Sequence, residues 1–234
     1  MKKSLVLMAV LSVFAAQNAQ AEAGDWVVRL RATNINPSES SKLGETTDKA
    51  YDGNPFPAST LYGSSTANLE VDSNTIPELD ISYYVTKNIA LELILALGSK
   101  HKVSVDSAGA VDPDLGHINV LPPTLTAQWH FMPDQTFDPY VGAGVTYARM
   151  MDNGLTARAA GVGNFPIRVD TSNWGAALQA GFDVNLQDGW LVNFDVKKIW
   201  IDTDVKLNLG NGYRKIDNLD IDPLVVSVGF GKKF

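Results

Sequence analysis

The stretch from Ile118 to Phe131 reads Ile-Asn-Val-Leu-Pro-Pro-Thr-Leu-Thr-Ala-Gln-Trp-His-Phe. From Thr124 onward, its residues alternate between polar and apolar, which is the period of a β-strand. Pro122 and Pro123 interrupt this strand, although proline lacks a backbone N–H and is normally excluded from a sheet interior. In a closed sheet, successive N–H groups point to opposite sides, so the pair removes one donor facing each neighbouring strand. The stretch therefore predicts a strand with a weak place in the wall.

The same alternation recurs and predicts eight strands. They span residues 25–36, 74–85, 89–105, 118–131, 139–151, 173–186, 190–205 and 222–234. Three connections are short, whereas the other four are long and rich in Gly, Ser, Asn and Asp: residues 37–73, 106–117, 152–172 and 206–221. An even number of strands, with short turns at one end and long loops at the other, is typical of bacterial outer-membrane barrels.

The polarity of the two strand faces separates a membrane barrel from a soluble one. One face carries large apolar residues, such as Leu91, Leu93 and Trp129, while the other carries charges such as Asp80 and small residues. A lipocalin, which also has eight up-and-down strands, keeps its apolar face inside. The reversed pattern predicts an all-β, eight-stranded antiparallel transmembrane barrel with long extracellular loops and short periplasmic turns.

Aromatic residues are expected to form two girdles at the membrane interfaces. Those near the short turns are Trp26, Tyr83, Trp129, Phe131, Tyr140 and Trp190, and those toward the long loops are Tyr147, Trp174 and Trp200.

The N-terminus predicts export. Lys2 and Lys3, an apolar run over residues 5–14 and the sequence Ala19-Gln20-Ala21 are typical of a signal peptide over residues 1–21, which leaves a barrel over residues 22–234. Its removal takes away two lysines and no acid, so 17 basic and 26 acidic residues give a net charge of −9. This charge argues against nucleic acid as a partner. The chain has no cysteine, so neither disulfides nor thiol chemistry is expected.

Inward-facing positions divide into three predicted regions. A charged periplasmic plug, acting mainly as salt-bridged filling, comprises Arg29, Arg31, Glu78, Asp80, Glu92, Gln128, His130, Asp183, Asp195 and Lys197. Above it, Ile94, Ala96, Thr146 and Ala148 are expected to line an apolar upper lumen. A lateral opening in the wall is predicted at Leu121, Pro122, Pro123 and Thr124, and a simple bend or bulge is the alternative for the prolines.

Several segments closely match one family of small barrels. They include Ile89-Ala90-Leu91-Glu92-Leu93, Lys100-His101-Lys102, Leu121–Trp129, Pro139–Val145, Trp174-Gly175-Ala176, Trp190–Asn193 and Asp222-Pro223. Over essentially the whole mature chain, the sequence resembles the outer-membrane protein W (OmpW) family. The resemblance implies an eight-stranded barrel in the outer membrane of a Gram-negative bacterium that helps small hydrophobic molecules cross, with lateral release into the bilayer.

This sequence departs from the family at two places, and either difference could change which ligand is accepted. Lys197 projects inward where relatives can carry a large apolar or aromatic residue, and the first loop, residues 37–73, is long and polar. Lys197 is interpreted as a partner of Asp195 or Glu92 rather than as a ligand contact.

The expected partners are outer-membrane lipid and lipopolysaccharide, a small hydrophobic ligand, and periplasmic chaperones with the barrel-assembly machinery during biogenesis. The chain is expected to be monomeric. No cofactor, metal site or catalytic residue is predicted. Two other functions remain open: a surface receptor whose loops bind phage, bacteriocin or host factors, and, as the weaker alternative, a lipid-modifying enzyme using His101 near Ser104.

Overall fold

A computed structural model describes residues 22–53, 56–96, 98–106 and 112–234. The predicted signal peptide, residues 1–21, lies outside these described residues. Within them, no helix is long and apolar enough to cross a membrane.

The described residues form fifteen strands, two short α-helices and one 3-10 helix, Gln187–Gly189. In chain order these are β1 (Trp26–Asn36), α1 (Leu43–Ala50), α2 (Ala58–Tyr62), β2 (Asn68–Val71), β3 (Asn74–Tyr84), β4 (Ile89–Ala96), β5 (Ser99–Asp106), β6 (Asp114–Leu121), β7 (Thr124–His130), β8 (Phe137–Asp152), β9 (Gly154–Ala159), β10 (Gly163–Val169), β11 (Ser172–Asn185), β12 (Trp190–Trp200), β13 (Asp202–Asn208), β14 (Tyr213–Asp220) and β15 (Leu224–Lys233).

Eight of the strands close into an antiparallel barrel. Their order around the wall is β11-β12-β15-β1-β3-β4-β7-β8, and β8 pairs with β11 to complete the circle. The first and last barrel strands are neighbours, since Val27 pairs with Lys233 and Asn36 with Leu224. Closure leaves no free sheet edge in the barrel wall. The predicted fold class, an eight-stranded up-and-down barrel, is confirmed.

Large apolar side chains cover the outside of this barrel. Leu30, Trp174 and Phe230 are 62%, 69% and 66% exposed, whereas Arg29, Asp80 and Glu92 are fully buried inside. Two outward aromatic pairs lie near opposite ends of the wall: Trp26 with Tyr83 at 4.9 Å between ring centroids, and Tyr147 with Trp174 at 4.8 Å. This arrangement suits a wall surrounded by lipid.

Three of the predicted strands are each divided in the structure. Residues 89–105 divide into β4 and β5 at Gly98, whose φ of +61° favours glycine. Residues 118–131 divide into β6 and β7 at the two prolines, which cannot donate to the ladder. Residues 190–205 divide after Trp200, where the N–H of Ile201 donates to the Asp222 carboxylate at 2.9 Å and β13 leaves the wall.

The long connections form an ordered layer above the barrel, called here the loop layer. It contains α1, α2, the strands β2, β5 and β6, and a separate sheet in the order β14-β13-β10-β9. Its apolar core includes Leu43, Leu61, Leu69, Val103, Leu115, Leu155, Ile167, Val205, Leu207 and Leu219. The Tyr51 hydroxyl donates to the carbonyl of Leu207 at 2.6 Å and ties the first loop to β13. Burial in this layer raises the pKa of Tyr62.

Candidate functional site

Charged side chains fill the lumen in the half of the barrel toward the short turns. Arg29, on β1, places Nη2 2.5 Å from Asp183 and Nη1 3.3 Å from Asp80, and it also donates to Ser82 at 2.7 Å. All of these groups are buried. Buried charges persist only when they are paired and hydrogen-bonded, and Arg29 meets both conditions through the neighbouring strand β3 and through β11 across the lumen.

A second arginine adds the next level of this filling. Arg31 lies two residues further along β1, so it projects on the same face as Arg29. Its guanidinium reaches Glu78 at 2.7 Å, Asp80 at 2.8 Å and Glu92 at 3.4 Å. Asp80 thus bridges the two arginines. The lumen at this depth is occupied by ion pairs.

The remaining residues of the predicted plug lie beside these pairs. Asp195 faces Lys197 at 3.4 Å, which is the pairing expected of that lysine. His130 contacts the Asp138 carboxylate at 2.7 Å and Gln128 at 3.3 Å. The name "charged layer" is used below for Arg29, Arg31, Glu78, Asp80, Glu92, Asp183, Asp195 and Lys197. Beneath it, an apolar cluster of Val27, Tyr84, Ala90 and Leu191 occupies the end of the lumen.

Tyr140 also belongs to this network, although the sequence assigned it to the outer girdle. Its side chain is 1% exposed and faces inward, where its hydroxyl donates to Asp195 at 3.0 Å and accepts from Asn193 at 3.1 Å. Its neighbour Val141 faces outward, so the alternation of β8 could have corrected the assignment. Gly181 makes room for the ring, because a Cβ there would lie 2.5 Å from the Tyr140 hydroxyl.

Sequence reasoning missed three more inward-facing polar residues in this part of the lumen. Gln179 donates to Glu92 at 2.7 Å, as does Thr126 at 2.8 Å. Lys233 is buried near the short-turn end, with Nζ 5.7 Å from the centroid of the Tyr84 ring. All three residues occupy inward-facing positions in the alternation of their strands, so the alternation could have identified them.

An apolar cavity of about 80 Å³ lies between the top of the barrel and the loop layer. Its lining residues are Ile35, Pro37, Val71, Ser99, His101, Ile118, Val120, Pro122, Thr146, Ala148, Met150, Asn173, Ile199, Ile201, Ile221, Pro223 and Val225. Of the residues predicted for the upper lumen, Thr146 and Ala148 line this cavity. Ile94 and Ala96 are buried but do not line it. Part of the lining comes from the loop layer. There, Ser99, His101, Ile118 and Val120 fall within predicted strands, whereas Val71 lies in a segment predicted as a loop.

The prolines coincide with a break in one seam of the wall. Between β4 and β7, pairing reaches Ile94 and Thr124, and pairing between β5 and β6 begins at Ser99 and Val120. Among the described residues between these points, none is paired across the seam. The N–H of Gly98 instead turns back to the carbonyl of Ala96 at 3.2 Å.

The opposite seam stays closed. The N–H of Tyr147 donates to the carbonyl of Pro123 at 3.0 Å, and Leu121 pairs with Arg149. Pro122 contacts the cavity, whereas Leu121 is 36% exposed on the outside and Thr124 is buried. The ladder is thus open on the β4 side, where Pro122 has no N–H to donate, and closed on the β8 side, where the Pro123 carbonyl accepts from Tyr147.

Two hydrogen-bonded pairs of polar residues lie beside Pro122. Thr124 and Thr146, which form one pair, were predicted as site residues, whereas Ser99 was not and His101 was considered only for the enzyme alternative. His101 Nε2 is hydrogen-bonded to the Ser99 hydroxyl, and its Nδ1 lies 2.7 Å from the carbonyl oxygen of Asp72. The sequence had paired His101 with Ser104, but residues two apart on a strand share a face, so Ser99 is the serine on its side. On the other side of Pro122, the hydroxyls of Thr124 and Thr146 lie 2.9 Å apart.

Comparison with known proteins agrees with this geometry. A sequence profile described as the OmpW family matches residues 22–234. An uncharacterized outer-membrane protein, y4mB of Sinorhizobium fredii, is 35% identical over 94% of this chain and 84% of its own length. Outer membrane protein W of Escherichia coli K12 is 32% identical over 100% of this chain and 99% of its own.

Two further relatives bear on the structure and the ligand. The crystal structure of the outer membrane protein OprG from Pseudomonas aeruginosa superposes with a TM-score of 0.75 at 30% identity, over 93% of this chain and 99% of that one. A dibenzothiophene metabolism operon protein, PahQ of Pseudomonas aeruginosa, is 28% identical over 92% of this chain and 90% of its own length.

Proposed function

The chain belongs to the OmpW family of outer-membrane proteins, and from this premise we propose that it passively admits small apolar molecules from outside and releases them sideways into the bilayer. Its barrel sits in the outer membrane of a Gram-negative bacterium. The short turns face the periplasm and the loop layer faces outward, as is general for such barrels.

The observation that carries the proposal is an apolar cavity above a filled floor and beside an unpaired seam. The charged layer occupies the periplasmic half of the lumen, so it acts as a plug that an apolar solute cannot enter without leaving its favourable surroundings. The cavity offers those surroundings, and Pro122 connects its lining to the β4–β7 seam. Escape into lipid at Leu121 to Thr124 requires no passage through the plug.

The name of one relative supports the choice of ligand class. PahQ is named for an operon of dibenzothiophene metabolism, and dibenzothiophene is an apolar aromatic compound. A cavity lined chiefly by Ile, Val, Ala and Pro side chains suits solutes of that character, although smaller ones match its size better.

The proposal extends to catalysis, oligomeric state and partners. It catalyses no reaction and acts as a monomer. Outer-membrane lipid and lipopolysaccharide surround the wall and receive the solute, while periplasmic chaperones and the barrel-assembly machinery are partners during biogenesis only.

Restoring the missing donors tests the seam. In the variant Pro122→Val with Pro123→Thr, both backbone N–H groups return, so β4 can pair with β7 beyond Ile94. We expect cells producing this variant to lose most of the protein-dependent uptake of radiolabelled p-xylene, while the barrel folds normally. Pro77→Ala is the matched control, because Pro77 faces outward from β3 in a paired part of the wall. Unchanged uptake in the double variant would contradict lateral release, and equal uptake with and without the gene would contradict transport.

A further inference from the structure

Beyond its apolar surface, the cavity offers hydrogen bonds at one place. The hydroxyls of Ser99 and Thr146 lie in the lining together with Pro122. Both residues are almost completely buried, at about 1% exposure. A ligand in the cavity can bind only those donor or acceptor sites of the two hydroxyls that protein partners do not already use.

The proton of Ser99 is committed to His101. A carbonyl oxygen can only accept, so the contact from His101 Nδ1 to the carbonyl of Asp72 requires the proton on Nδ1. In a neutral imidazole, Nε2 is then an acceptor, and the Ser99 hydroxyl must donate to it. Only lone pairs remain on Ser99 Oγ for a ligand.

The proton of Thr146 is committed by the same argument. The Thr124 hydroxyl donates to the carbonyl of Pro122 at 3.3 Å, which uses its single proton. Either hydroxyl could donate across the 2.9 Å contact between Thr124 and Thr146, and we assign the donor to Thr146 because this arrangement satisfies the Pro122 carbonyl as well. Thr146 Oγ1, like Ser99 Oγ, is left as an acceptor.

The backbone of Pro122 adds no donor to the lining, because proline has no N–H. The N–H of Ala96 lies in the neighbouring seam, and Ala96 does not line the cavity. One side-chain donor lies elsewhere in the lining: Asn173 uses one amide hydrogen on Thr203 at 3.1 Å and keeps a second. The end of the cavity next to the seam thus accepts hydrogen bonds and does not donate them.

We propose that this cavity selects small apolar molecules that carry one hydroxyl or N–H group, such as phenols, over hydrocarbons and ethers of the same size. The donor of the ligand binds Ser99 Oγ or Thr146 Oγ1, and its apolar part fills the space lined by Ile and Val side chains. The selectivity rests on the proposed function, since it concerns molecules held on that route. An ether oxygen buried here would find no donor at the Pro122 end and would lose its hydration without replacement.

Equilibrium dialysis of the purified full-length protein in detergent against empty micelles tests the selectivity. The ligands are p-cresol, p-xylene and p-methylanisole, which differ in a hydroxyl, a methyl and a methoxy group. We expect p-cresol to be retained about three- to tenfold more than p-xylene, after subtraction of the micelles, which is the effect of one net hydrogen bond. We expect p-methylanisole to be retained least.

Two variants separate hydrogen bonding from general effects on the fold. Thr146→Val keeps the shape but removes one acceptor, so retention of p-cresol should fall while that of p-xylene holds. His101→Leu frees the Ser99 proton, so retention of p-methylanisole should rise, which a purely structural role would not produce. Thr33→Val is the matched control, because Thr33 bonds Ser227 at 2.8 Å inside the barrel without lining the cavity.

Equal retention of all three ligands above the micelle level would overturn the selectivity but leave the apolar cavity in place. No retention of any ligand would count against the proposed function itself. A loss of p-cresol retention in Thr33→Val as large as in Thr146→Val would also overturn the assignment.

Discussion

At the scale of single residues, Arg29 neutralises the charges of two buried carboxylates. Its guanidinium contacts Asp183 and Asp80, and all three side chains are buried. The variant Arg29→Gln keeps a polar side chain but removes the charge, which leaves both carboxylates without this partner. Breaking a buried ion pair in this way costs about 3–5 kcal/mol. We expect the free energy of unfolding in urea, followed by tryptophan fluorescence in lipid, to fall by about that amount.

The matched control is Lys87→Gln, which removes a cation from the surface. Lys87 pairs with Asp134 in a short turn and is 53% exposed, so the pair contributes less than about 1 kcal/mol. Similar losses in the two variants would contradict the view that the charged layer depends on buried pairing.

Strand alternation predicted which of these residues face inward, but not their partners. Arg29 and Asp183 are 154 residues apart in sequence, and they meet only because the barrel closes with a particular register. Tyr140 was assigned by its distance from a turn and not by its parity on the strand, and the assignment to the girdle was wrong. Hydroxyl pairs such as Thr124 with Thr146 likewise depend on the register between β7 and β8.

At the scale of elements, the β4–β7 seam should differ from its neighbours in hydrogen exchange. The N–H of His130 donates to the carbonyl of Asn88 at 2.8 Å, so every second residue from Asn88 bonds toward β7. Ala96 is one of these, and continued register would place it opposite Pro122. We expect its amide to exchange with solvent deuterium much faster than that of Ile94, measured by NMR in lipid bilayers.

Tyr147 provides the control on the other side of the prolines, because its N–H donates to Pro123 and should be protected. Equal protection of Ala96 and Ile94 would contradict an interrupted seam. In the Pro122→Val, Pro123→Thr variant, protection of Ala96 should rise toward that of Ile94.

The elements outside the wall were the least predictable. Composition identified residues 37–73 and 206–221 as loops, because they are rich in turn-forming residues. They fold because short apolar stretches from four separate connections pack together, as Leu43, Leu155 and Leu207 do. The alternation of residues along a strand does not indicate such contacts between distant segments. The packing of these connections above the cavity therefore became visible only in the structure.

At the scale of the whole molecule, the same strand alternation produces two opposite environments. Outward positions are mainly apolar over the wall, while inward positions change from ionic in the periplasmic half to apolar beneath the loop layer. This gradient, together with closure by eight strands, is the basis of the proposed route for apolar solutes. An interior of this width is filled by its own side chains and leaves no room for a column of water through the charged layer.

The gradient predicts that the protein admits apolar solutes but does not conduct ions. Arg29 and Arg31 hold five carboxylate contacts across the lumen, and an ion would have to displace them without gaining equivalent ligands. We therefore expect the purified protein to give no steady ionic current in planar lipid bilayers, at salt concentrations where a sixteen-stranded porin conducts readily. The same preparation, reconstituted in vesicles, should still speed the entry of p-xylene into the bilayer. A continuous current carried by small ions would contradict the filled floor, because it requires a water path from the cavity to the periplasmic end.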